Sequence, residues 1–252
     1  MKSKAAILYN LNSERPYTES KPLKIVEIEL DSPGFNEVVV KIKAAGLCHS
    51  DLSVIDGNRP RQLPMAMGHE ASGVIIELGK GVKNLKIGDH VVFAFLPSCG
   101  NCQFCQTGRA GLCESGAEAN VNGTLIGGHK RIHKGDEYYY HHLGVSGFAE
   151  YAVASVNSLV KIDSDIPFEI AALFGCAVLT GVGAVVNTAK LKLGQSILIV
   201  GLGGVGLAAV LGAKAAGASK IIAADLNTQK REVAKSLGAH YVINSSKSNA
   251  LN

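Results

Sequence analysis

Four of the six cysteines in this chain lie in one short stretch, CGNCQFCQTGRAGLC, between Cys99 and Cys113. Their spacing is C-x2-C-x2-C-x7-C, in which the short gaps let neighbouring thiolates turn onto one ion and the longer gap closes a tetrahedron. Four sulfur ligands leave no open coordination position, so the spacing predicts a structural zinc site. An iron-sulfur cluster or a set of redox thiols is the alternative, although bacterial ferredoxins space their cysteines differently. The predicted ligands are Cys99, Cys102, Cys105 and Cys113.

The clustered cysteines also indicate a reducing compartment, where thiolates hold metals more often than they form disulfides. The N-terminus, MKSKAAILYN, has no apolar core or cleavage site before Glu14, so we expect no signal peptide and a cytoplasmic location. With 47% hydrophobic and 18% charged residues, the chain is expected to be globular, with one large domain or two medium ones.

Two uncharged runs, which begin at Ile170 and Ser196, are each long enough to cross a bilayer. Glycines interrupt both, and the second changes from strand-like to helix-like residues, so neither is interpreted as a membrane span. The net charge of +4 comes from scattered lysines and arginines rather than from a basic run. This distribution argues against nucleic acid or a membrane surface as a partner and favours a small molecule.

The two remaining cysteines, Cys48 and Cys176, each lie in a glycine-containing apolar stretch, AAGLCHSD and ALFGCAVLTG. Taken alone, either could be a buried inert thiol. Between them, His69 and Glu70 follow a glycine and open an apolar, strand-like run. Two cysteines and a histidine make a set of three zinc ligands that leaves the fourth position to water, substrate or a neighbouring carboxylate, as in catalytic zinc sites.

A third motif begins near residue 190, where the pattern changes to alternating strands and helices. The segment QSILIVGLGGVGLAAVLGAKAAGA predicts a buried strand, a G-x-G-x-x-G turn at Gly201, Gly203 and Gly206, and a helix. The next strand ends at Asp225. This context predicts a dinucleotide site, in which the glycines let the backbone approach the pyrophosphate and the aspartate binds the adenosine ribose. An aspartate would repel a 2′-phosphate, so NAD is favoured over NADP.

The stretch GHEASGVIIELGKGV, from Gly68 to Val82, matches the G-H-E-x2-G-x5-G-x2-V signature of the zinc-dependent medium-chain alcohol dehydrogenases. The other motifs follow the order and spacing of that family, so the whole chain resembles it. The resemblance implies an α/β plus β fold: a GroES-like strand-rich catalytic domain over residues 1–180, then an incomplete Rossmann doubly wound parallel sheet over residues 181–252. The catalytic zinc residues that it implies are Cys48, His69 and Cys176, with Glu70 as the neighbouring carboxylate.

The resemblance also implies roles for single residues. Ser50 matches the hydroxyl residue that takes the alcohol proton, whereas Ser53 stands where many relatives have a histidine that passes the proton on. Phe95 matches a wall of the substrate pocket, and an ordinary half-buried strand explains it equally well. The matched cofactor-binding positions are His49, Thr180, Gly201, Gly203, Gly204, Val205, Gly206, Asp225 and Lys230.

Four of these cofactor matches have simpler explanations. Lys230 could be a solvated helix charge, and His49 could be an ordinary surface histidine. Thr180 and Val205 could serve packing alone.

The activity that the resemblance implies is hydride transfer from a primary or aromatic alcohol to NAD, which gives the aldehyde, with zinc lowering the pKa of the bound alcohol. A thiol adduct of formaldehyde is the alternative substrate. The chain ends at Asn252 after three of the six strands of the dinucleotide fold, so we expect a truncated chain. A catalytically silent zinc-binding fragment is therefore the alternative function. The full-length family is expected to form homo-oligomers, and two complete ligand sets argue against a zinc-free quinone reductase relative.

The segment from Gly116 to Gly147 contains HKRIHKGDEYYYHHLG, whose histidines could suggest a further metal site. The family has a polar loop of similar size there, and both zinc sites already have their ligands. The segment is therefore predicted to be a solvated loop.

Overall fold

The computed structural model describes residues 1–246 and divides into two compact units, of which the first spans Met1–Gly175 and the second begins at Cys176. The first unit is rich in strands, and the second alternates strands with helices. The division falls slightly before residue 180, where the sequence predicts the domain boundary.

The first unit contains short helices and many antiparallel strands. Its strands are β1 (Lys2–Leu8), β2 (Leu23–Leu30), β3 (Glu37–Gly46), β4 (Met65–Ala66), β5 (Glu70–Leu78), β6 (His90–Phe93), β7 (Ile132–Lys134), β8 (Glu137–His141), β9 (Tyr151–Ser155) and β10 (Leu159–Lys161). Its helices are α1 (Tyr17–Ser20), α2 (His49–Ile55), α3 (Gln103–Gln106), α4 (Glu114–Asn122) and α5 (Phe168–Ala171), with 3₁₀ turns at Ala110–Leu112 and Val156–Ser158.

These strands form a closed barrel and a separate sheet. Strands β1, β2, β7, β8 and β4 close into a barrel in that order, and β10, β6, β5, β3 and β9 form a five-stranded antiparallel sheet. Strand β3 contributes to both cores because its side chains alternate. Val39 packs with the barrel core around Tyr139, whereas Val38 and Val40 pack with Phe93 on the other face. The apolar run at the start of β3 is thus buried on both sides.

The segment 116–147 is not the solvated loop that the sequence predicts. It contains α4 and the β7–β8 hairpin, which pairs with β2 on one side and β4 on the other and so completes the barrel. Tyr139, His141 and His142 are buried in it. The prediction was wrong because buried and more exposed residues alternate along β8. Its residues are mostly polar types, so this period of two is not visible as a hydrophobic pattern in the sequence.

The second unit contains a three-stranded parallel sheet. Its elements are α6 (Leu179–Gly183), β11 (Ser196–Val200), α7 (Gly204–Ala215), β12 (Lys220–Asp225), α8 (Thr228–Leu237) and β13 (Tyr241–Asn244). The strand order is β11-β12-β13, and each crossover passes through a helix, as parallel strands require. Ile199, Val210 and Ile221 lie in the core between the sheet and its helices. This is the partial Rossmann sheet that the sequence predicts.

One helical segment, Phe168–Thr188, includes α5, α6 and the π-helical turns Phe174–Val178 and Ala184–Thr188. By length and composition it could cross a membrane: its mean hydropathy is 2.0, and 33% of its most apolar window is buried. One such helix is weak evidence, because core helices of soluble proteins meet the same criterion. The other uncharged run, from Ser196, forms β11 and the start of α7 rather than one helix.

Candidate functional site

The candidate metal site lies where strands β3 and β5 meet. Their ladder ends in the pair Gly46–Glu70, so Cys48 and His69, which lie just beyond it on the two strands, come together. The missing side chain of Gly46 leaves room for Glu70, because a Cβ there would force the Glu70 carboxylate to move. The ligand atoms of Cys48, His69 and Glu70 all lie within 4.8 Å of one another.

A neighbouring ladder places an aromatic ring against the same histidine. Strands β5 and β6 pair Ser72 with Val92, and the same register continued beyond the strands sets Phe95 opposite His69. The centroids of the two rings are 5.7 Å apart and the rings are nearly perpendicular, at 79°. Phe95 therefore packs edge-to-face on a predicted metal ligand.

Helix α2 begins at the site, with Cys48 as its N-cap. The Asp51 carboxylate accepts the Cys48 N–H at 3.2 Å, and the Cys48 sulfur accepts the Asp51 N–H, which is a capping box. The first turn of the helix carries Ser50, which is half-buried, and His49, which is exposed. One turn later, the Ser53 hydroxyl donates to the His49 carbonyl at 3.0 Å. The helix start thus fixes the position of the Cys48 thiol.

The carboxylate of Asp51 also contacts two buried histidines. Its Oδ1 lies 3.0 Å from His69 Nδ1 and 3.2 Å from His142 Nδ1. The two histidine rings meet edge-to-face, with centroids 5.3 Å apart. Because Asp51 takes the Nδ1 side of His69, the Nε2 atom is the one left for a metal.

These contacts shift the pKa values of the three groups. Burial alone would lower the pKa of His69, but hydrogen bonds with Asp51 and Cys48 outweigh it and raise the pKa to about 9. Burial would raise the pKa of Asp51, but the close contacts with His142 and His69 outweigh it and lower the pKa to about 2. Burial lowers the pKa of His142, against the pull of Asp51. A metal needs the neutral imidazole, so its binding must release the proton of His69.

Cys176, the remaining predicted ligand, is the first residue of the second unit and is buried. It lies in the π-helical turn Phe174–Val178, a rare backbone form that is frequent at functional sites. The preceding Gly175 has no room for a side chain, because a Cβ would overlap the Phe93 carbonyl. The role of Cys176 as a zinc ligand stays a prediction. Two sulfurs and one imidazole nitrogen form a donor set typical of zinc.

The four-cysteine loop forms a second, closed group. The sulfur atoms of its four cysteines all lie within 4.8 Å of one another, and none is in a disulfide. Backbone N–H groups point at the sulfurs: Cys99 and Gly116 donate to Cys113 at 3.2 and 3.3 Å, and Cys102 donates to Cys99 at 3.3 Å. Such bonds favour the thiolate form, which is the form that binds metals.

The thiols of this loop differ in how readily they ionise. N–H groups of Asn101 and Cys102 lower the pKa of the Cys99 thiol to about 6. Desolvation, together with the neighbouring thiols, raises the pKa of Cys105 to about 11. Four thiolates this close repel one another, so they ionise together only around a positive ion. Four sulfur donors with no further ligand position fit a structural zinc.

The glycine-rich turn joins β11 to α7 at the carboxyl edge of the parallel sheet. Gly203 is the N-cap of α7, and Gly206 has no room for a side chain because a Cβ would overlap the Gly201 carbonyl. The Leu202 N–H donates to the Asp225 carboxylate at 2.7 Å, which ties the turn to the end of β12. The first N–H groups of α7 are suited to bind an anion such as a pyrophosphate.

Asp225 presents an ionised carboxylate at this edge. The N–H groups of Asn227, at 2.8 Å, and Leu202 lower its pKa, and the positive charge of Lys230 adds to the shift. Arg231 donates to the Asp225 carbonyl at 2.8 Å and so fixes the end of β12. A carboxylate in this place is suited to accept hydrogen bonds from ribose hydroxyls.

The structure gives positions, but no roles, to the other predicted cofactor residues. Gly204 and Val205 open α7, and Val205 is 40% exposed. Thr180 in α6 and Lys230 in the first turn of α8 are exposed, as is His49. Their roles stay predictions.

Two known protein families match parts of this chain. Residues 34–164, more than half of the chain, match the family described as the alcohol dehydrogenase GroES-like domain. The chain belongs to the alcohol dehydrogenase family. Residues 204–252 also match the family described as zinc-binding dehydrogenase.

Relatives within this family agree in sequence and in fold. The chain is 42% identical over 245 residues to the S-(hydroxymethyl)glutathione dehydrogenase of Synechocystis sp., in a match that covers 97% of this chain and 64% of that relative. It is similar to the benzyl alcohol dehydrogenase of Acinetobacter calcoaceticus, with a TM-score of 0.89 and 35% identity over 99% of this chain and 65% of the other. The acetophenone reductase of Geotrichum candidum, solved in complex with NAD, gives a TM-score of 0.77 and 30% identity over 98% and 65%. The predicted family and fold class are thus confirmed, and the chain spans less than two thirds of each of these relatives.

Two residues of the site, Asp51 and His142, are absent from the set predicted from the sequence. The signal for Asp51 is the capping-box spacing in CHSD, which places its carboxylate on the Cys48 N–H. The signal for His142 is weaker, since it depends on recognising β8 as a strand whose last residue comes just before His142 at the metal site.

Arg61 is a third such residue. Its Nε is buried and has no hydrogen-bond partner in the described part of the chain. Burial and the neighbouring Arg59 lower its pKa, and its charge adds to the lowering of the pKa of His142. A guanidinium without an ion-pair partner among residues 1–246 therefore lies close enough to affect His142.

Proposed function

We propose that this chain carries the catalytic metal site and the nucleotide loop of a zinc-dependent oxidoreductase that transfers a hydride from an alcohol to NAD, giving the aldehyde. The observation that carries the proposal is the convergence of Cys48, His69 and Glu70 where β3 and β5 meet, with Asp51 holding His69 from the opposite side. Buried ionisable groups are costly unless paired or bound to a metal, so a fold without such a function has no need of this group.

The metal would be held by residues whose donor atoms fit zinc. The proposed catalytic ligands are Cys48, His69 and Cys176, with Glu70 as the adjacent carboxylate, and the structural ligands are Cys99, Cys102, Cys105 and Cys113. When bound, the catalytic zinc supplies Lewis acidity that lowers the pKa of an alcohol hydroxyl. The contribution of Asp51 is orientation, because its contact with Nδ1 presents Nε2 of His69 to the metal.

The nucleotide would be held by the glycine-rich turn and the end of β12. The first turn of α7 is proposed to bind the pyrophosphate, and Asp225 the adenosine ribose. When bound, NAD accepts the hydride. The same carboxylate would repel a 2′-phosphate, which supports NAD rather than NADP. The proposed cofactor-binding residues are His49, Thr180, Gly201, Gly203, Gly204, Val205, Gly206, Asp225 and Lys230.

Ser50 is proposed to take the proton from the alcohol. It lies in the first turn of α2, two residues after the proposed ligand Cys48. The hydroxyl proton of Ser53 is engaged with the His49 carbonyl, so this residue is not the next proton carrier in the observed arrangement. We propose that water completes the path to solvent. Removing Ser50 should slow turnover by about 10²–10⁴-fold, the usual range for general acid–base assistance.

The favoured substrate is a primary or aromatic alcohol. Phe95 packs on His69 and places an aromatic wall beside the proposed metal position. A similar fold at 35% identity belongs to a protein named for benzyl alcohol. Aromatic rings bind well against such a wall because they gain both apolar burial and edge-to-face contact.

The thiol adduct of formaldehyde is a second candidate substrate. The relative at 42% identity is named for the glutathione adduct, which carries two carboxylates. Neither Arg59 nor Arg61 forms an ion pair with an acidic residue among residues 1–246. An unpaired guanidinium near His142 is suited to bind such a carboxylate.

The two substrates are distinguished by one variant. The zinc-loaded 252-residue chain would be given NAD with benzyl alcohol, or with formaldehyde and glutathione, and NADH formation would be followed. If the adduct is the substrate, Arg61→Gln should raise its KM about tenfold, as loss of one charge-assisted hydrogen bond predicts, and leave benzyl alcohol oxidation unchanged. An equal effect on both substrates would contradict a carboxylate contact. No turnover of either by a chain that holds two zincs would favour the alternative of a catalytically silent zinc-binding fragment.

The partner, the cellular location and the oligomeric state are part of the same proposal. The partner is a small-molecule alcohol or aldehyde, with no nucleic acid and no membrane, and the location is cytoplasmic. Homo-oligomers are proposed for the full-length protein.

A further inference from the structure

Asp51 is the centre of a buried polar group that the predicted ligand set does not explain. Its Oδ2 accepts the Cys48 N–H at 3.2 Å, and its Oδ1 lies 3.0 Å from His69 Nδ1 and 3.2 Å from His142 Nδ1. One carboxylate therefore connects two of the proposed zinc ligands to a histidine that is not one of them. The three side chains are at most 4% exposed, so water does not screen these contacts.

The position of His142 is fixed by its backbone. Its N–H lies 3.2 Å from both the Ala66 carbonyl and the Ser146 hydroxyl, and its carbonyl accepts the N–H groups of Val145 and Ser146 at 3.1 and 3.3 Å. These bonds hold the residue in the turn that follows β8. Backbone hydrogen bonds therefore fix the residue whose imidazole lies at the site.

The side chain of His142 lacks a well-aligned partner. Its Nδ1 is buried and forms no hydrogen bond of good geometry within the described part of the chain, although Asp51 Oδ1 lies 3.2 Å away. A buried polar nitrogen without a well-aligned partner calls for an explanation, and Asp51 Oδ1 is the acceptor within hydrogen-bond distance of it.

We propose that His142 is a positioning residue for the metal ligand His69 and acts through Asp51. Its Nδ1–H holds the Asp51 oxygen that accepts from His69, and its ring blocks rotation of the His69 ring. This role rests on the proposed zinc site at Cys48 and His69. Residues that orient a metal ligand from behind change metal affinity by about 10–100-fold when they are replaced.

Three variants of the 252-residue chain test this role. His142→Phe keeps the ring and the volume but removes the donor, and His142→Asn keeps a donor close to the same place. His141→Phe is the matched control: His141 is equally buried, but it accepts from the Arg131 N–H at 3.1 Å and lies beside Ser146 rather than Asp51. The far-UV circular dichroism spectrum and the denaturant midpoint report folding in every variant, and no variant touches the four-cysteine loop.

The measurement is competition for zinc with a chelator, repeated with cobalt to record the absorption spectrum of the open site. We expect His142→Phe to bind the second metal about 10–100-fold more weakly, with an altered cobalt spectrum, and His142→Asn and His141→Phe to remain within a few-fold of the wild type. Unchanged affinity in His142→Phe, or an equal loss in His142→Asn, would overturn the positioning role.

Two further outcomes separate this role from the proposed function. A wild-type chain that binds only one zinc would overturn the catalytic site and the role of His142 together. A wild-type chain that binds three, with the third lost in His142→Phe, would overturn the positioning role alone, because Asp51, His69 and His142 would then be metal ligands themselves.

Discussion

The four-cysteine loop and the Cys48–His69 site are both built to gather sulfur or nitrogen donors, but different parts of the chain assemble them. The loop takes all its ligands from one stretch, and its own backbone N–H groups bind the sulfurs of Cys99 and Cys113. The other site takes Cys48 from the end of β3 and His69 from the start of β5, and depends on the register of those strands.

The four-cysteine loop is therefore a local site, and the Cys48–His69 site is a non-local one. The local site needs only its metal and a short loop, so it should form whenever the segment is intact. The non-local site needs the sheet, the start of α2 and the turn after β8, so it should respond to changes far away in the sequence. Its ligand His69 is also held by Asp51, whereas the loop has no such side chain behind its sulfurs in the described residues.

The largest effect is expected from His69→Ala, which removes the histidine of the non-local site. Zinc per chain should fall from two to one, and alcohol oxidation should fall about a thousandfold or more, because the metal supplies several kcal/mol to the transition state. His90→Ala is the control, since His90 stacks on Phe168 at 4.6 Å and belongs to neither ligand group. Two zincs in the His69→Ala variant would show that His69 is not a ligand.

Replacing a ligand of the local site should act on stability instead. Cys102→Ser should lose the structural zinc and reduce the free energy of unfolding by about 3 kcal/mol, the amount expected for removing a cross-link from a loop of this length. The denaturant midpoint and the zinc content measure the two effects, with Ser98→Ala as a control beside the loop. If this variant also lost the catalytic zinc, the two sites would not be independent and the comparison would fail.

The pH dependence of zinc binding should reveal the proton on His69. Its pKa of about 9 in the metal-free site lies above the ordinary 6.5, so the bound proton stabilises the metal-free fold fully below pH 6.5, and this contribution is lost as the pH rises through about 9. Zinc must displace that proton as well as the thiol protons of the proposed cysteine ligands, so its affinity for the non-local site should fall at least tenfold for each pH unit below about 9. Zinc titrations of Cys102→Ser across this range isolate the site. A flat profile would contradict the raised pKa.

The smallest effect concerns the nucleotide loop, a local motif tied to a distant strand by the Leu202–Asp225 hydrogen bond. Asp225→Ser should shift the ratio of NAD to NADP affinity by about tenfold toward NADP, because the charge that repels the 2′-phosphate is gone. Binding of both nucleotides is measured by calorimetry. An unchanged ratio would mean that Asp225 does not face the ribose.

The sequence predicts the local features well because spacing alone encodes them. The cysteine spacing of the loop and the strand–turn–helix context of Gly201 to Gly206 need no knowledge of the rest of the fold. The group of Cys48, His69 and Glu70 could be predicted only through a family signature, since no local spacing relates residue 48 to residue 69.

Asp51 and His142 were missed for physical reasons. Asp51 has the form of an ordinary helix cap, and nothing in CHSD indicates that its other oxygen reaches His69. His142 comes after a strand whose polar residues suggest a loop, although the strand closes the barrel. Register and barrel closure are long-range properties, so the buried contacts that they create are visible only in the folded chain.

The number of zinc ions bound per chain shows whether the non-local site forms. Elemental analysis of protein whose intact mass matches the 252-residue sequence would be compared for the wild type and Cys102→Ser. We expect two zincs in the wild type and one in the variant. One zinc in the wild type and none in the variant would contradict it, because only the four-cysteine loop would then hold a metal.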